Sequence, residues 1–331
     1  MGSASTQQRP RAVAVVGPTA AGKSALALSL AERLALPILC CDSVQVYRGL
    51  DIGSAKPSAE EQARVPHHGL DLVDPDQEFS AGDYGRAGRQ ILERGPAVIC
   101  GGTGLYLRAL GWSHSGTGGE EDPPRNGDHG EARSAFEVTW MDRETEVPGA
   151  VHAELVRRDA ATAAGIHPNN VIRALRALWL CERYGRAVSE VRRADPPSQL
   201  VDLLLLVVDP GVEAVDAAIS RRCAAMLTRG WLAEVEMLRA HGYDARHKAM
   251  RSLGYRELLE HLEGRTTLSE AVDAIDRATR KYARRQRTYF RHQFRDLPLE
   301  QIVQIDHPDA CPIDLVTAFL QDGARGRSDA P

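Results

Sequence analysis

Short, strongly apolar runs occur at Ala12 to Val16, Pro37 to Cys41, Pro96 to Cys100 and, broken only by Asp202, Val201 to Val208. Runs of this length, bounded by polar or glycine residues, read as buried strands. Elsewhere the apolar positions recur at three- and four-residue steps. This helical spacing covers Ala25 to Leu34, Ala81 to Glu93, Val151 to Ala164, Val171 to Tyr184, Val215 to Thr228, Leu232 to His241 and Leu268 to Arg295, with Gly230 and Gly242 as breakers. Strands alternating with helices predict an α/β fold: a parallel sheet with flanking helices. In such sheets ligands sit outside the carboxyl ends of the strands. The residues just after the first three runs, namely 17–24, Asp42 and Thr103, should therefore converge.

The pattern lapses from Trp112 to about Gly130, and again at Asp195-Pro196-Pro197. The first lapse reads as a flexible, exposed connection. These breaks predict a core made of residues 12–112 and 200–310, with a mostly helical insertion domain at 113–199. Residues 1–11 are expected to be a disordered N-terminus and 311–331 a tail.

Composition narrows the class. The chain has 331 residues and a formal net charge of −4, so its bulk charge does not point to nucleic acid. Its six cysteines show neither a C-x-x-C pair nor a zinc spacing, and read as buried free thiols. No secretory signal is visible, and no apolar run approaches the roughly 18 residues of a membrane span. A cytoplasmic protein with no membrane partner is expected, and a monomer.

The segment Gly17-Pro18-Thr19-Ala20-Ala21-Gly22-Lys23-Ser24 fills every position of the G-x-x-x-x-G-K-[ST] phosphate loop, between a strand and a helix. Backbone N–H groups and the helix N-terminus would surround an anion. Lys23 would add a point charge, and Ser24 a hydroxyl ligand for Mg²⁺. Asp42 follows a strand beside this loop. Asp209 follows another, and reads either as a Mg²⁺-supporting acid or as a turn residue before Pro210. From Arg277 to Arg295 there are eight basic residues and no acid, interleaved with Tyr282, Tyr289, Phe290 and Phe294. That stretch is either a solvated helix face or a polyanion contact, and its lack of acid in an acidic chain favours the contact.

These pieces, taken in order, resemble the tRNA dimethylallyltransferase family. The resemblance is carried by the phosphate loop, Asp42 to Arg48, Asp51 to Pro57, Val65 to His68, Gly101 to Tyr106, Ile166 to Asn169, Leu253 to Arg256 and Arg284 to Arg291, and runs from residue 13 to about 295. It implies a P-loop NTPase-like sheet with a helical insertion. The implied reaction moves a dimethylallyl group from dimethylallyl diphosphate to N6 of adenosine 37, beside the anticodon, in tRNAs reading codons that begin with U. It also implies roles for residues. Asp42 falls on the general base, Thr103 lies near the base and target adenosine, and Thr19 could donate a hydrogen bond near the acid. The loop residues 17–24 and Arg251 would hold diphosphate, with Mg²⁺ at Ser24. The anticodon stem-loop would be met by Asp42, Ser43, Val44, Gln45, Thr103, Ile172, Arg173, Arg176, Arg251, Tyr255, Arg256, Arg284, Arg285, Gln286, Arg287 and Arg291. Two other readings share the loop: prenyl transfer to a free adenine nucleotide, and a small-molecule kinase using ATP.

Overall fold

The computed structural model describes residues 9–113, 128–307 and 310–328. The expected disordered N-terminus lies largely outside these residues, as does most of the connection after Trp112. By internal contacts the chain divides into two compact units, residues 1–111 with 200–331, and residues 112–199.

The first unit opens with β1 (Arg11–Val16), α1 (Lys23–Leu34), β2 (Ile38–Cys40), α2 (Ala59–Arg64), β3 (His67–His68), α3 (Ala81–Leu92), β4 (Ala97–Cys100) and α4 (Gly104–Gly111). The second unit holds α5 (Asp128–Glu146), α6 (Ala150–Arg158), α7 (Ala160–Ala163), α8 (Val171–Tyr184) and α9 (Val188–Ala194). The chain then returns to the first unit through β5 (Asp202–Val208), α10 (Val212–Thr228), α11 (Trp231–Ala240), α12 (Tyr255–Leu262), α13 (Leu268–His292), β6 (Ile302–Ile305) and α14 (Ile313–Ser328).

The six strands form one parallel sheet in the order β3-β2-β4-β1-β5-β6. Strand β1 sits inside it because both its faces are apolar: Ala12 through Val16 are 0% exposed. Alternate residues serve the two sides, as the strand period requires. Val13, Val15, Val98, Leu204 and Leu206 meet Leu26, Leu30 and Ala31 of α1. On the other face Leu39 and Leu110 close around Gly88 of α3, and Leu203 lies against Gly111 of α4. Each such leucine contributes roughly 1.5–3 kcal/mol by leaving water.

Several elements differ from the sequence expectation. The stretch at 311–331, expected to be a tail, holds a helix in its described residues. This is α14, whose Val316 is fully buried in the main core with Phe319 and Leu320 packed against it. Before it, β6 pairs with β5 in register Leu205↔Ile302 to Val208↔Ile305. The polar region after Asp51 contains α2, started by a Ser58–Glu61 capping box, and the two-residue β3 paired with β2. Helix α5 lies mostly at residues 131–146, between the irregular connection and the first helix expected in the insertion. The expected Val151–Ala164 helix is broken at Asp159, which caps α7 and also accepts from the backbone and hydroxyl of Ser189 at the start of α9. Burial opposes its charge, yet hydrogen bonds from Thr162 and Ser189 hold the Asp159 carboxyl down to about 2.

Candidate active site

The phosphate loop leaves β1 between its neighbours β4 and β5. Gly17 has φ 138°, and a Cβ there would stand 2.1 Å from the Val208 carbonyl oxygen of β5. Ala20 takes φ 63°, a left-handed conformation that costs a residue with a Cβ roughly 1–2 kcal/mol. Gly22, at φ 90°, then starts α1 with no side-chain cap and no acid in the first turn. The positive end of the helix therefore stays open toward the loop. Half-buried Lys23 donates to the Pro18 carbonyl at 2.6 Å. Burial pushes its ammonium below its usual 10.5 to about 8, against the pull of Cys100 and Asp42. The Ser24 hydroxyl hydrogen-bonds the Cys100 thiol, whose ionisation burial pushes up to about 11.

The expected convergence of the strand ends is present. Thr103, after β4, accepts from the Ser43 backbone N–H at 3.1 Å and donates to the Ser43 hydroxyl at 3.4 Å. Its own N–H donates to the Cys41 carbonyl at 3.2 Å. Asp42 shapes the turn after β2: its Oδ1 accepts from the N–H groups of Val44 at 2.8 Å and Gln45 at 3.4 Å. Oδ2 has no hydrogen-bond partner among the described residues.

Helix α13 lies across these turns. The Gln286 amide oxygen accepts from Thr19 N–H at 2.8 Å, and its nitrogen donates to the Gly102 carbonyl at 2.9 Å. A Cβ at Gly102 would come within 2.1 Å of that nitrogen, and one at Gly104 within 2.1 Å of the Tyr289 ring. These glycines thus admit the helix rather than an anion. One turn earlier the Tyr282 hydroxyl is hydrogen-bonded to Thr103, and burial beside the charge of Asp42 keeps it protonated.

Arg222 of α10 was not singled out in the sequence, yet it donates to the Thr19 hydroxyl at 2.7 Å. Burial lowers its pKa and the charge of Asp42 raises it. A signal existed. Arg222 falls in the stripe Val215, Ile219, Met226, all buried, so a cation occupies a core-facing helical position.

The structure reassigns two expected RNA contacts. Gln286 is buried with both ends of its amide engaged, so it clamps the phosphate loop. Tyr255 is 0% exposed and its hydroxyl donates to Glu234, so it is unavailable to RNA. Arg251 and Arg256 are exposed around the turn into α12, and Arg256 pairs with Glu257. On α13, Arg284 pairs with Asp216 at 3.1 Å, and Arg285 stacks 5.7 Å from the Tyr282 ring centroid. Arg287 grips Asp209 with two bonds of 2.5 and 2.6 Å, while Arg291 is exposed. Despite its burial, Asp209 is held below the usual carboxylate range by Arg287, the Gly211 N–H and the charge of Arg291. A cavity of about 560 Å³ lies beside Gly17 and Pro18, between this ion pair and Phe290 and Phe294; neither Lys23, Asp42 nor Thr103 lines it. Ile172 and Arg173 are exposed on α8 of the second unit, as is Arg176.

For a metal, the described residues offer no cluster of three or more His, Cys, Asp or Glu side chains. Asp209 is already satisfied by Arg287. The Ser24 hydroxyl at the open start of α1 fits an ion that brings its other ligands with it. Mg²⁺ behaves this way, keeping water and phosphate oxygens. No described helix is long and apolar enough to cross a membrane.

Comparison with known proteins agrees with this geometry. The IPP transferase family model matches residues 45–293, and the isopentenyl transferase model matches residues 10–67. The chain is 40% identical over 311 residues to the tRNA dimethylallyltransferase of Geobacter metallireducens, covering 91% of this chain and 94% of that one. To the tRNA dimethylallyltransferase of Pelotomaculum thermopropionicum it is 36% identical over 282 residues, covering 84% and 86%. Among solved structures, the full-length tRNA isopentenylpyrophosphate transferase of Bacillus halodurans matches with a TM-score of 0.62 at 28% identity, over 97% of this chain and 100% of that one. A phosphate loop with no acidic cage, an aspartate at the neighbouring strand end and homology across nearly the whole chain lead to one assignment: the chain belongs to the tRNA dimethylallyltransferase family, whose members are prenyl-transferring enzymes.

Proposed function

We propose that the protein transfers the dimethylallyl group of dimethylallyl diphosphate to N6 of adenosine 37 in tRNAs that read codons beginning with U, and releases diphosphate. The bond that forms joins N6 to the allylic C1. The bond that breaks joins C1 to oxygen, and its electron pair leaves with the diphosphate. Charge therefore grows on the leaving group, where the loop N–H groups, Lys23 and Arg222 would stabilise it. Ser24 would hold Mg²⁺, which supplies further positive charge there when bound.

The observation that carries the reading is the state of Asp42. Backbone donors hold its Oδ1, so the carboxylate is oriented while Oδ2 remains available. Oδ2 would take one N6 proton as the amine attacks, a contribution of about 10²–10⁴-fold. The adenine must leave its stack to reach that carboxylate, and an anticodon loop makes this extraction cheaper than a duplex would. Ser43 to Gln45 would meet the extruded base, with Thr103 beside them. The free thiols of all six cysteines suit the reducing cytoplasm, where such tRNAs are found.

The test is to supply labelled dimethylallyl diphosphate with tRNA, with AMP, and ATP with candidate small-molecule acceptors. Label should enter tRNA, and Asp42→Ala should abolish transfer while largely sparing donor binding. Label entering AMP but not tRNA would overturn the acceptor assignment. Equal loss of transfer and binding in Asp42→Ala would make Asp42 a structural residue.

A further inference from the structure

Glu234, in the first turn of α11, is a carboxylate 7% exposed that no step of the proposed reaction uses. It has no cation partner among its hydrogen bonds. Its Oε2 accepts from the backbone N–H groups of Asp51 at 3.0 Å and Ile52 at 2.6 Å. Its Oε1 accepts from the Gly53 N–H at 3.2 Å and from the Tyr255 hydroxyl at 2.7 Å. Three consecutive backbone donors on one buried carboxylate form an anion nest. Here the anion is built into the protein, and its effect is to fix the loop that supplies the donors.

That loop reaches the site. Its next two carbonyls, of Ser54 and Ala55, both accept from the Gln45 side-chain nitrogen at 3.0 Å. This double contact assigns the amide orientation: both N–H bonds are spent, and Oε1 is left as an acceptor. The Gln45 backbone N–H in turn meets Asp42 Oδ1. The loop is closed on its other side by Lys56, which donates to the Tyr47 carbonyl at 2.7 Å and to Asp51 at 2.6 Å. Beside Glu234, the Trp231 indole fills the space where Cβ atoms of Gly53 and Gly254 would stand, 1.9 and 2.2 Å away. Gly254 directly follows the turn that carries Arg251.

We propose that Glu234 is a positioning residue for the acceptor side of the reaction. It acts through the Asp51–Ala55 loop to hold Gln45 with its carbonyl oxygen as the reading group. The inference rests on the proposed tRNA prenyl transfer and adds to it the device that orients Gln45. A side chain held this way can accept a hydrogen bond from an exocyclic amine, but it cannot donate one from its own amide nitrogen. Glu234→Gln replaces one acceptor oxygen with an NH₂ that faces N–H donors, so the loop should loosen without losing side-chain volume.

The experiment is steady-state kinetics on the full chain with Glu234→Gln, Gln45→Ala and the double variant, using tRNA and dimethylallyl diphosphate. Glu234→Gln should lower kcat/KM for tRNA about 10- to 100-fold, with the KM for dimethylallyl diphosphate within about twofold of wild type. On the Gln45→Ala background the same change should cost less than about threefold, because both act through one contact. Equal losses for both substrates, or full additivity with Gln45→Ala, would overturn the proposal. Where Glu234→Gln does not fold, Tyr255→Phe removes one of the carboxylate's four donors and must show the same substrate selectivity and the same coupling to Gln45. A wild-type chain that transfers nothing to tRNA would refute the function itself, which is a different outcome from wild-type transfer with unselective variants.

Discussion

Arg222 and Thr19, 203 residues apart in sequence, are joined by a 2.7 Å hydrogen bond from the guanidinium to the hydroxyl inside the phosphate loop. A second cation thus stands beside Lys23, and it arrives from α10 instead of from the loop. Diphosphate carries more charge than one lysine offsets, and a planar guanidinium suits adjacent phosphate oxygens.

Arg222→Ala should raise the KM for dimethylallyl diphosphate by about 10- to 100-fold, the loss of a charge-assisted hydrogen bond. Arg222→Lys should recover only part of it, because the forked geometry is lost. Titration with inorganic diphosphate checks this independently of the acceptor. An unchanged affinity would limit Arg222 to bracing Thr19.

The Lys23 ammonium, depressed to about 8 by burial, makes donor binding depend on pH. Below that value the cation is present and binding should be flat. Above it the empty site loses its charge, and the apparent affinity should fall by up to about tenfold per pH unit. A bound anion restores the proton, so calorimetry near pH 8.5 in buffers of different ionisation enthalpy should show proton uptake. The stability effect has the opposite sense. Between about 8 and 10.5 the unfolded chain holds more protons than the folded one, so this group makes stability rise with pH. Lys23→Met should abolish both effects.

Charge on α13 is not one undivided face. Arg287 is committed to Asp209, while Arg285 and Arg291 are exposed and Arg284 has one exposed partner pair. Replacing Arg284, Arg285 and Arg291 with Ala should weaken tRNA binding and flatten its log–log salt dependence by about two units, at roughly 0.7–0.9 per phosphate contact. Arg287→Ala should instead lower the melting temperature with little change in that slope. Binding measured across a salt series separates the two.

The phosphate loop, the strands around it and the site aspartate were legible because each is local: a spacing, an apolar run, a residue at the end of that run. The residues that hold them were not. Gln286 sits amid arginines and reads as part of a basic face, yet helix rotation turns it inward onto Thr19 and Gly102. Tyr255 lies inside a segment that resembles an RNA-contacting motif, but its burial follows from Glu234 and Trp231, which are far from it in the motif pattern. Such roles depend on which face of a helix meets which turn, and periodicity places a face without naming its partner. Likewise β6, with Ile302 and Val303 half-buried and Gln304 exposed, has too weak an alternation to be read without its neighbour.

That neighbour gives β6 a protective consequence. Strand β5 runs Leu-Leu-Leu-Leu-Val-Val from Leu203 to Val208, all six residues buried. Were the chain cut after α13, the β5 backbone would become an open apolar border, of the kind through which chains recruit one another into aggregates. Four residues of modest appearance near the carboxyl end therefore act as a selvedge, keeping the most adhesive strand of the sheet from finding a stranger.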